Sequence, residues 1–96
     1  MAHLFPLGQT VVTPAALDLL RAHGASSDTL LRRHSAGDWG DISPNDRGLN
    51  DQAVRDGSRI FSVYEIAPEV KVLIITEAED DDGERAATTI LCPEDY

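Results

Sequence analysis

Ile60-Phe61-Ser62-Val63-Tyr64-Glu65-Ile66 and Val70-Lys71-Val72-Leu73-Ile74-Ile75-Thr76-Glu77-Ala78, joined by Ala67-Pro68-Glu69, decide the fold class of this 96-residue chain. Both runs are rich in β-branched and aromatic residues and are separated by turn chemistry, so they read as two strands, Arg59–Ile66 and Val70–Ala78. Val72-Leu73-Ile74-Ile75 is apolar at every position, which predicts a central strand with helices on one face and other cover on the opposite one. Downstream, Glu79-Asp80-Asp81-Asp82-Gly83 ends in the Asp-Gly pair typical of hairpin turns, and Ala86–Cys92 supplies a last strand stopped by Pro93.

Upstream the period becomes helical. Thr13-Pro14 is an N-cap followed by a first-turn proline, which predicts a helix from Pro14 to about His23 ended by Gly24. Ala16, Leu17, Leu19 and Leu20 are its expected inner face. Ser26 or Ser27 caps a second helix through Leu30, Leu31 and His34, closed by Gly37. Ser43-Pro44 opens a third helix that ends before Gly57. Leu49, Ala53 and Val54 are its expected inner residues, with Asp51 and Arg55 paired at i,i+4. Gly48 inside it predicts a kink or a close approach. Gly8–Val12 reads as a short leading strand. The expectation is one α+β domain over residues 1–96. Its helical part spans about 13–57, and a three-stranded antiparallel meander over about 59–92 packs on the helices.

One cysteine, Cys92, excludes an internal disulfide and a cysteine-based zinc knuckle, and reads as a small buried hydrophobe. No apolar run approaches membrane-spanning length, and no basic segment leads into a long apolar one. A cytoplasmic protein without a secretory leader is therefore expected. No phosphate-cradling or nucleophile-elbow motif is present, so no cofactor, metal or catalytic residue is predicted.

Charge is unevenly distributed along the chain. Residues 1–64 carry seven acids and six arginines, whereas residues 65–96 carry ten acids against Lys71 and Arg85, within a net charge of -9. That balance argues against direct nucleic-acid binding, which needs cations to displace phosphate counterions. It suits a face that docks onto a basic protein partner, with Glu79, Asp80, Asp81, Asp82 and Glu84 as the contact residues.

A second cluster is His34-Ser35-Ala36-Gly37-Asp38-Trp39-Gly40-Asp41. His34, Asp38 and Asp41, with Trp39, are the residues a small hydrolase or metal-dependent enzyme would use. The structural alternative makes Trp39 a core anchor, Asp38 and Asp41 turn caps, and His34 the end of an apolar helix face. A third possibility is a homodimer paired through the last strand or the edge of the meander.

His34–Asp41, Ile74-Ile75-Thr76-Glu77-Ala78 and Ala87–Tyr96, with Phe5-Pro6-Leu7-Gly8-Gln9 and Thr13-Pro14, resemble a family of small plasmid-related bacterial proteins. These are carried on plasmids, phages and integrated elements. The resemblance implies a non-enzymatic accessory protein of a mobile element, in its sharpest form an inhibitor of a nucleic-acid-processing defence complex. It brings no catalytic residue. Some members are labelled restriction-system subunits, yet this chain has no methyltransferase or nuclease motif. A shorter turn usually joins the last two strands in that family; here Glu79–Arg85 enlarges it with acids.

Overall fold

A computed structural model of the chain describes residues 3–96. Strand β1 (Gln9–Val12) leads through Thr13 into helix α1 (Pro14–Ala22), followed by α2 (Ser27–Ser35) and α3 (Pro44–Asp56). Strands β2 (Ile60–Ala67), β3 (Val70–Thr76) and β4 (Ala87–Leu91) follow, and a single 3-10 turn, Pro93–Asp95, ends the chain. The α+β class and all three helices agree with the sequence reading.

Helix boundaries follow the capping residues. Thr13, Ser26 and Ser43 each accept a hydrogen bond from the backbone N–H three residues on. Gly57 ends α3 in the left-handed region at φ +84, where a side chain would be strained.

The sheet order is β1-β4-β3-β2. β2, β3 and β4 pair antiparallel, as the meander reading has it, but β1 adds to β4 in parallel, with Gln9 beside Ala87 and Val12 beside Ile90. The sheet is therefore mixed and four-stranded, which corrects the picture of a wholly antiparallel unit. β1 and β4 are 78 residues apart at that first pair, so the local hairpin chemistry that orders the meander carries no trace of it. Both β3 and β4 are interior strands.

Alternation divides the sheet into two faces. Ile60, Tyr64, Val72, Ile74 and Ile90 are buried beneath the helices, with Ala16, Leu20 and Leu30 packed against this side. Phe5, Trp39, Ala53 and Ile60 form a second cluster at the α3 end. Phe61, Val63 and Leu73, on the opposite face, are only half-buried, because the terminal turn and Tyr96 are what reach across it. The expected second cover of β3 is thus partial.

Two expected inward leucines point out. Leu17 is 37% and Leu49 57% exposed. In α3 the buried positions are Ala53 and Asn50, whose side-chain amide donates to the Phe61 carbonyl at 2.6 Å and accepts from its N–H at 3.3 Å. Burial of a polar residue there is repaid in hydrogen bonds to β2. The expected Asp51–Arg55 pair is replaced by a bond from the Trp39 indole N–H to Asp51 at 3.0 Å. Open space surrounds the Cβ position of Gly48, so no close approach explains that glycine.

Candidate functional site

The segment His34–Asp41 does not assemble a site from its acids. His34 is fully buried, and its Nδ1 and Nε2 lie 2.6 and 2.9 Å from the hydroxyls of Ser62 and Thr76. Asp38 instead pairs with Arg33 at 2.6 Å and takes the Gly40 N–H at 3.3 Å, in solvent. Asp41 faces Lys71 at 3.8 Å. Arg33 holds the Asp38 carboxyl below the usual carboxylate range. Among the described residues, no three His, Cys, Asp or Glu side chains gather where one metal ion would reach them.

The His34 network has a direction. Thr88 donates to the Leu7 carbonyl at 2.7 Å and lies 2.7 Å from the Thr76 hydroxyl. The Thr88 proton is committed to Leu7, so Thr76 donates to Thr88 and must accept from Nε2–H of His34. Nδ1 is then bare and accepts from Ser62. Burial lowers the His34 pKa to about 4, which keeps the ring neutral at pH 7 in agreement with that assignment. Phe5 and Trp39 flank the ring edge-on at 5.3 and 5.9 Å. The network crosses α2, β2, β3 and β4, its four side chains are fully buried, and it welds helix to sheet.

Trp39 is 4% exposed and also holds the sheet edge. Its carbonyl accepts from Val63 N–H at 3.1 Å, and Asp41 N–H donates to the Val63 carbonyl at 2.7 Å. Gly40 makes this approach possible: a Cβ there would lie 2.0 Å from the Val63 carbonyl oxygen. The outer edge of β2 is thereby partly sealed. β4 is interior, so of the two edges expected for a homodimer only the meander edge at β2 is peripheral; among the described residues β1 forms the opposite edge of the sheet.

The acidic turn between β3 and β4 is ordered. Asp80 and Glu84 pair through backbone at 2.9 Å, and the Asp80 carboxylate accepts from the N–H groups of Asp82 and Glu84 at 2.9 and 3.0 Å. Glu79 N–H reaches the Gly57 carbonyl at 2.8 Å, tying the hairpin to the end of α3. Asp80 therefore builds the turn, while Glu79, Asp81, Asp82 and Glu84 are exposed.

Arg85, at the base of this hairpin, was not singled out by the sequence. It is 4% exposed and, among the described residues, has no carboxylate partner. Its guanidinium donates to the carbonyls of Ser58, Glu77 and Ala53 at 2.8, 3.0 and 3.0 Å, its Cζ lies 5.6 Å from the Phe5 ring, and Nε is buried without a partner. A cation at the C-terminus of α3 also suits the helix dipole. Its lone position among acids was the available signal, but that pattern suggests ion pairing rather than carbonyl capping.

The ten rear acids are not gathered at one pole, as the sequence distribution suggested. Glu77, Glu79, Asp80, Asp81, Asp82 and Glu84 lie at one end of β3. Glu65 and Glu69 lie at the other, where the antiparallel β4 also delivers Glu94 and Asp95. The length of β3 separates the two groups by on the order of 20 Å. Asp95 is engaged by the Thr13 hydroxyl and the Cys92 N–H. Among the described residues, the ion pairs are Arg33–Asp38 and Lys71–Asp41, so none of the ten rear acids has a cation in contact. Cys92 is buried, its thiol pKa raised by burial and by Asp95 and Glu94, away from nucleophilic character.

No helix among the described residues is long and apolar enough to cross a membrane. Compared with known proteins, the chain matches no family model, no curated protein and no solved structure.

Proposed function

We propose that this protein is a non-enzymatic binding module whose β3–β4 hairpin docks onto a basic surface of a protein partner. The observation that carries this reading is the hairpin itself. Glu79, Asp81, Asp82 and Glu84 are held on an ordered turn, without a cation in contact among the described residues, above an anchor formed by Arg85. A preorganised anionic surface speeds encounter with a cationic partner and loses little entropy on binding. The opposite acidic group is a weaker candidate because Asp95 is already engaged by local hydrogen bonds. The sequence resemblance to plasmid-related proteins supports an accessory role in a mobile element, with inhibition of a nucleic-acid-processing defence complex as its sharpest form.

The test is affinity capture from the native host at about 50 and about 500 mM salt, where screening lengths differ roughly threefold. Basic proteins retained at low salt and released at high salt support docking. Capture that ignores salt, or that survives neutralising Asp81, Asp82 and Glu84 together, contradicts it.

A further inference from the structure

We propose that the apolar hollow on the open face of the sheet receives one apolar side chain from a lysine- or arginine-rich segment of the partner, whose cations lie along the hairpin. This deepens the hairpin reading and rests on it. The hollow, of about 190 Å³, is lined by Arg59, Phe61, Leu73, Ile75 and Tyr96. Phe61 and Ile75 are cross-strand partners, and Leu73 sits beside them on the face that the helices leave bare. Tyr96 forms a wall, its hydroxyl accepting from Arg59 at 2.9 Å while the guanidinium carbon lies 5.8 Å from its ring.

Hollow and hairpin occupy the same end of the sheet. Glu77 follows Ile75 by two residues and is exposed, and Arg59 follows Gly57 by two, whose carbonyl holds Glu79. Around that end stand Asp56 and the six hairpin acids, against Arg55, Arg59 and the buried Arg85. The surplus is negative, and an apolar depression beside it matches a segment that is cationic and carries an anchor residue. A second copy is the poorer occupant: each chain carries a net charge of -9 and would bring the same acidic end to the contact.

Fluorescence anisotropy with two labelled lysine–glycine peptides, differing only in a central leucine or glycine, tests this. The leucine peptide should bind wild type about tenfold tighter. Leu73→Ala and Tyr96→Ala should each remove that advantage and leave the glycine peptide unaffected. Tyr96 is 70% exposed, so its replacement does not threaten the core. Neutralising Asp81, Asp82 and Glu84 should weaken both peptides. Equal affinity of the two peptides, or an advantage that survives both hollow variants, overturns the anchor while salt-sensitive binding keeps the hairpin reading. Failure of both peptides to bind overturns both. Self-association in light scattering that Leu73→Ala abolishes would assign the hollow to a second copy and overturn the proposal.

Discussion

His34 and Ser62, 28 residues apart, meet across the helix–sheet interface in a buried bond of 2.6 Å, with the serine hydroxyl donating to Nδ1. In this direction the bond needs a neutral imidazole, since protonation would turn Nδ1 into a donor and force the Ser62 hydroxyl to accept instead.

The first prediction follows from that neutrality. The folded pKa of about 4 lies below the unfolded value of 6.5, so the unfolded chain binds the extra proton between them. Stability is complete above about pH 6.5 and falls as pH drops toward 4, by up to about 3 kcal/mol. Asp38, also depressed, loses its contribution only at lower pH. Urea midpoints from pH 7.5 to 4 check this, and His34→Gln should flatten the slope whatever its overall stability. An NMR titration placing His34 near 6.5 would contradict it.

Arg85→Ala should lower stability by about 3 kcal/mol or more, because it strands the carbonyls of Ser58, Glu77 and Ala53 beneath the hairpin. Arg85→Lys should recover only part of this, since a single ammonium lacks the planar fork that spans three carbonyls. Denaturant titration followed by circular dichroism measures both. A neutral Arg85→Ala would mean that the guanidinium is dispensable to the fold.

Two glycines should respond in opposite directions. Gly48→Ala, in a helix interior with open space at Cβ, should stabilise by about 0.5–1 kcal/mol. Gly40→Ala, at φ +75 and driven against the Val63 carbonyl, should destabilise severely and release the edge of β2. Thermal melts of the two variants are sufficient.

Trp39→Ala should cost about 3–5 kcal/mol, the range for emptying a buried aromatic position. A loss below about 1 kcal/mol, read by circular dichroism in urea, would show the indole to be a surface contact.

The parts of the molecule legible in the sequence are those set by neighbouring residues. Thr13-Pro14, Ser43-Pro44 and Gly57 fixed helix ends because capping acts over three or four positions. Gly8–Val12 reads as a strand from its own residues, but the parallel place of β1 beside β4 depends on contacts across most of the chain. Leu17 and Leu49 misled because helical spacing admits two adjacent faces, and Asn50 gained burial from hydrogen bonds that hydrophobicity does not register. Ser62, Thr76 and Thr88 fall on inward positions of their strands. Together with a histidine on a buried helix face, that pattern was the available clue to the polar network. The acids divided between two ends because antiparallel strands return the chain to where it began.

Docking by the hairpin is tested most directly by two-dimensional amide NMR of the full chain titrated with the leucine-bearing lysine–glycine peptide. Amides of residues 79–85, with those of Phe61, Leu73 and Ile75, should shift together and saturably, while Glu65, Glu69 and Glu94 stay fixed. Shifts confined to that opposite end, or spread evenly over every exposed carboxylate, would contradict the account.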